Sequence, residues 1–103
     1  MKGFGEIMKQ AQRMKAELNR IQEEAAAKRV DGSAGGGMVT VTADGRGEIV
    51  AVKIDPELIQ GGDLEMLQDL VVAAANDALR RARELLTAEM GRLTGGLNLP
   101  GLM

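Results

Sequence analysis

Residues 38–54 read "MVTVTADGRGEIVAVKI", and the fold turns on how this stretch is folded back on itself. In "MVTVTA" Val39, Val41 and Ala43 alternate with Met38, Thr40 and Thr42. After Asp44-Gly45, "EIVAVKI" places Val50, Val52 and Ile54 on one side and Ile49, Ala51 and Lys53 on the other. Alternation with a period of two, interrupted by Asp-Gly, predicts a β-hairpin in which Gly45 supplies the positive φ of a tight primed turn. Both strands are apolar on more than one face. That points to a sheet covered on both sides, by helices on one and a partner on the other.

Towards the N-terminus the period changes. Phe4, Ile7, Ala11, Met14, Leu18, Ile21 and Ala25 are spaced alternately by three and four, a heptad seam. No Gly or Pro interrupts residues 6–31, so one helix of about 25 residues is predicted, ending before "VDGSAGGG". At 1.5 Å per residue it is about 37 Å long, more than a small core can cover, so part of it should project. Towards the C-terminus Asp55-Pro56 ends the second strand, and residues 57–60 suit a short helical turn. Gly61-Gly62 break the chain, and Asp63 is an N-cap candidate. Leu64, Leu67, Val71, Ala74, Ala78, Leu85 and Leu86 then trace a second long helix to about Met90. Residues 92–103 finish in "GGLNLPGLM", which has lost its period and is expected to be a mobile tail.

A chain of 103 residues with 45% hydrophobic and 27% charged residues is a single folded domain by length and composition. Fourteen of its apolar residues are alanine, which fills space thinly and leans the chain towards a second copy completing the core. Cysteine, histidine, tyrosine and tryptophan are absent. The commonest general base, the commonest metal ligand and the strongest nucleophile are therefore missing, which argues against an enzyme. Residues 1–30 have neither an apolar h-region nor a run of 18 apolar residues, so no secretory signal, membrane span or membrane partner is expected.

Other motifs are decoys. "GSAGGG" at 32–37 lacks the lysine and hydroxyl of a phosphate loop and precedes a strand instead of a helix, so it reads as a connector. Asp63, Glu65 and Asp69 suit a helix cap and first-turn acids better than a cation site. Met8, Met14 and Met66 read as core gap-fillers. No metal, cofactor or small-molecule substrate is implied.

The charge is unevenly spread. The net −2 divides into +3 for residues 1–30, −7 for 31–79 and +2 for 80–103, so the long helices carry nearly all the positive charge. Lys2, Lys9, Arg13 and Arg20 lie along one face of the first helix, away from its apolar seam, with Glu6 and Glu23 diluting the stripe. On the second helix Asp77–Arg81 and Arg80–Glu84 are i,i+4 pairs. Arg83 has no acidic residue at i−4 or i+4.

The segments "GEIMKQAQRMKAELNRIQEE", "GMVTVTADGRGEIVAVKIDPELI", "DLEMLQDLVVAAANDALRRARE" and "LNLPG", in that order and spacing, resemble the YbaB/EbfC family of bacterial nucleoid-associated DNA-binding proteins over almost the whole chain. The resemblance implies an α+β fold, with a long N-terminal helix, a three-stranded antiparallel sheet and a long C-terminal helix, in a tweezer-like homodimer. It makes "KRVDGS" a candidate first strand. It further implies a cytoplasmic, nucleoid-bound protein that binds double-stranded DNA and acts in nucleoid organisation or gene regulation. Lys9, Arg13, Arg20, Arg80, Arg81 and Arg83 match the family's DNA-contacting helices and are the candidate phosphate contacts. A competing reading is a non-enzymatic interaction module that docks a partner protein through the same helices.

Overall fold

The structure, a computed structural model, describes residues 2–95. Its elements are α1 (Lys2–Ala27), β1 (Arg29–Ala34), β2 (Val39–Asp44), β3 (Ile49–Ile54), α2 (Pro56–Gln60) and α3 (Leu64–Gly95). The strands form one antiparallel sheet in the order β1-β2-β3. The α+β architecture expected from the sequence is therefore present, and "KRVDGS" does supply the first strand. α3 continues helical past Met90 to Gly95. The rest of the expected tail, 96–103, lies outside the described residues.

The hairpin forms, but its turn differs from the expected one. Positive φ falls on Gly47 (88°), and Gly45 does not need it. The turn is closed by Asp44, whose Oδ1 accepts the N–H groups of Arg46 (2.9 Å) and Glu48 (3.1 Å), while its own N–H donates to the Glu48 carbonyl (2.9 Å). Gly45 is required for a different reason. Its N–H donates to the Ala25 carbonyl near the end of α1 (2.9 Å), and a Cβ there would lie 2.3 Å from that oxygen. The register also shifts between Thr42 and Ala43, which pair with Ala51 and Ile49, so Val50 is the extra residue of a β-bulge and strict alternation stops there.

α3 packs over β1 and β2. Val39, Val41 and Ala43 of β2 meet Ala74, Ala78 and Ala82 of α3, with Leu58 of α2 closing one end. The alanines contribute little apolar area; their value is closeness. A Cβ on Gly32 of β1 would lie 2.1 Å from the Ala78 nitrogen and 2.5 Å from the Ala74 oxygen, so here the backbones of strand and helix touch. Because α3 sits mainly over β1 and β2, it touches β3 only at its margin, where Ile54 packs against the core. Val52 pairs with Val41 and so shares the helix-facing side, yet it remains 49% exposed. The helices of this chain thus cover one face of the sheet, and they cover it incompletely over β3.

The long helices likewise differ from their sequence reading in burial. Of the α1 seam only Ile21 and Ala25 are buried, Leu18 is half-buried, and residues 3–16 are all exposed. Met8, Met14 and Met66 are exposed, so they do not fill core gaps; Leu64 is exposed too. The periodicity is real, but among the described residues nothing covers the seam from Phe4 to Met14. The radius of gyration, 19.7 Å, far exceeds the roughly 13 Å of a compact domain of this length, as a projecting helix requires.

The Gly32 contact yields a direct prediction. Gly32→Ala forces two backbones apart and should cost about 3 kcal/mol or more. Thermal unfolding followed by circular dichroism should show a midpoint lowered by roughly 12 °C or more.

Candidate nucleic-acid interface

The six candidate cations fall into two groups. Arg20 bonds Glu17 (2.6 Å) and Glu24 (2.7 Å), both on its own helix. Arg80 is held between Asp77 (2.5 Å) and Glu84 (2.9 Å), and Arg81 Nε meets the other Asp77 oxygen at 3.2 Å. Lys9, Arg13 and Arg83 make no ion pair among the described residues. Lys15, Arg46 and Lys53 are similarly unpaired there, and sequence reasoning passed over them because they stand off the α1 stripe or outside the long helices.

The clustering of "RRAR" in sequence does not survive folding. At 100° per residue, Arg81 and Arg83 lie on nearly opposite faces of α3. Arg81 is turned towards the outer edge of β1, where Asp77 Oδ2 also accepts the Ser33 N–H at 3.1 Å. This carboxylate ties an edge strand to the helix and takes up the charge of both neighbouring arginines. Arg83 points away from the sheet.

Among the described residues α1 and α3 come together near the base of α1. There Glu89, buried at 5% exposure, pairs with Lys28 at the α1–β1 junction and with Arg92 one turn along α3. Beside it a cleft is lined by Arg20, Ile21, Glu24, Glu89 and Arg92. Sequence reading missed this group, although a signal was there: the seam Val71, Ala74, Ala78, Ala82, Leu85 continues to position 89, where an acid replaces the next apolar residue. Measured by helix rise from this junction, Lys9 lies about 28 Å and Arg13 about 22 Å out along α1, and Arg83 about 9 Å back along α3. The unpaired cations of the two long helices are therefore spread over about 37 Å of helix length, not gathered into a patch.

The chemistry available is charge and hydrogen bonding. No group of three or more His, Cys, Asp or Glu placed to hold a metal occurs among the described residues. No helix among them is long and apolar enough to cross a membrane.

The profile of the YbaB/EbfC DNA-binding family matches residues 1–97. The chain belongs to that family. It is 56% identical over 99 residues to a nucleoid-associated protein of Desulfotalea psychrophila, covering 96% of this chain and 93% of that one. It is 50% identical over 96 residues to a nucleoid-associated protein of Caldanaerobacter subterraneus, covering 93% and 86% respectively. An uncharacterized protein of Helicobacter pylori shares the fold in its crystal structure, with a TM-score of 0.78 and 28% identity, over 87% of this chain and 95% of that one.

The carboxylates set the pH response. The Ser33 N–H, then Arg80 and Arg81, hold Asp77 below the usual aspartate range; the Glu48 N–H does the same for Asp44, and Lys28 with Arg92 for Glu89. A carboxyl depressed in the folded state stabilises above its unfolded pKa, near 4, and loses that contribution as pH falls through the lower folded value. Stability should therefore be insensitive to these groups near neutrality and decline in acid. Urea midpoints recorded from about pH 7 down to about pH 2 should show a shallower acid decline in Asp77→Asn than in the natural chain.

Proposed function

We propose that this protein is a non-enzymatic architectural DNA binder that acts as a homodimer, gripping duplex phosphates through cations on its two long helices, within the nucleoid of a bacterial cytoplasm. The observation that carries the reading is that Lys9, Arg13 and Arg83 stand exposed on the long helices and form no ion pair among the described residues, in a chain of net charge −2. An unpaired cation gains a phosphate contact without giving up an ion pair. Arg20, Arg80 and Arg81 would first have to break theirs, so they rank as secondary contacts.

Spacing supports backbone contact over base readout. Single cations strung along about 37 Å of helix match one turn of duplex in length, about 34–36 Å. They present no compact reading head for a groove, and phosphate contacts position a protein without carrying sequence information. Nucleoid organisation or gene regulation would follow from many such sequence-tolerant contacts.

Support for a second copy comes from three surfaces left bare by the chain itself. β3 is an open edge strand with Ile49, Val50 and Val52 about half exposed, and an unprotected apolar edge invites pairing. Val72 on α3 and Ile59 on α2 are exposed as well. On α1, Phe4 and Ile7 are 66% and 63% exposed along an uncovered seam.

A salt-titrated binding assay on unrelated duplexes tests the DNA reading, with duplex RNA beside them. Affinity should fall about a thousandfold or more between 50 and 200 mM salt if six or more phosphates are engaged, and a flat response overturns the proposal. Arg13→Ala should weaken binding to all duplexes alike and lower the salt slope by about 0.9 for each phosphate no longer neutralised. Arg80→Ala should do less. Light scattering at matched concentrations should return twice the chain mass.

A further inference from the structure

We propose that Glu89 is a positioning residue for the DNA-binding arm: with Lys28 and Arg92 it forms an ionic clasp that sets the direction in which α1 projects. This rests on the DNA-binding reading for its consequence, though not for its geometry.

Three features of the site converge. Glu89 occupies a core position of α3, the continuation of the Val71-to-Leu85 seam, and it is buried at 5% exposure, while Lys28 and Arg92 keep their heads partly in water. A buried carboxylate without partners is costly, so the site holds an acid only because cations from two places meet there. Lys28 stands at the junction of α1 and β1, and Arg92 stands on α3, so the carboxylate joins the arm, the sheet and the second helix at one point. Among the described residues of α1 only Ile21 and Ala25 are buried, with Leu18 half-buried, so little packing holds its direction.

An apolar side chain at position 89 would still pack against the foot of α1, but packing without direction lets the arm pivot. An ion triad with defined partners restricts the angle. The lever is long: Lys9 stands twelve residues beyond Ile21, about 18 Å along the helix, so a swing of about 10° moves it by about 3 Å, the length of a hydrogen bond. Arg20 and Glu24 of α1 line the same cleft. They are paired with each other, and Glu17 occupies the remaining side of Arg20. Neither competes for the Glu89 carboxylate.

The chain contains no cysteine, so spin labels can be placed cleanly at Gln12→Cys on α1 and Thr87→Cys on α3, both exposed. Labelled chain diluted into unlabelled chain reports distances within one copy by pulsed electron paramagnetic resonance. The parent protein should give a narrow distribution at neutral pH that broadens once the pH falls below the carboxylate range. Glu89→Gln and the better-packed Glu89→Leu should be broad at every pH, and both should bind duplex DNA about tenfold more weakly at equal salt. A folded Glu89→Leu with the parent's narrow distribution overturns the clasp, and so does a broadened arm with unchanged DNA affinity. If the parent binds no duplex at all, the proposed function fails, and the distance distributions alone then decide whether the clasp exists.

Discussion

The contact on which the rest of this structure depends is the backbone-to-backbone approach of β1 and α3 at Gly32, Ala74 and Ala78. Hydrophobic area does not explain it, since glycine and alanine bury little. What they permit is proximity, and proximity fixes where a 32-residue helix lies on a three-stranded sheet. With α3 pressed onto β1 and β2, Val39 and Val41 become fully buried, while Val50 and Val52 of β3 stay open. The same placement brings Asp77 to the Ser33 N–H, so the outer edge of β1 is occupied by a side chain of the helix that covers it.

From that placement the electrostatics follow. α3 is attached to the sheet by one carboxylate, Asp77, and to the foot of α1 by another, Glu89. Each consumes cations that a charge count would credit to ligand binding: Asp77 takes Arg80 and Arg81, and Glu89 takes Lys28 and Arg92. The cations that remain unpaired are fewer than the sequence suggests and farther apart. A long, thinly charged surface is the arrangement that the proposed phosphate-by-phosphate contact with a duplex calls for.

Legibility in the sequence varied with how local the determining physics is. The hairpin was readable because alternation and Pro56 act over a few residues, as was the Asp63 cap, whose side chain accepts the N–H of Met66. The turn was misassigned to Gly45 because that glycine answers to Ala25, a residue twenty positions away, and not to its own φ. The methionines were misplaced because a heptad seam tells that a face is apolar and says nothing about whether a neighbour exists. Glu89 was overlooked because an acid at a core position makes sense only when Lys28 is seen beside it.

By itself the sequence determined the element types, their order and the stretches of apolar face, since these arise from backbone preferences and side-chain periods within one segment. It also carried the family membership, through the order and spacing of four segments across the chain. Only the tertiary structure decided which apolar faces are covered and which cations are unpaired. Both depend on distances between residues remote in sequence, and those distances follow from how closely α3 can approach β1.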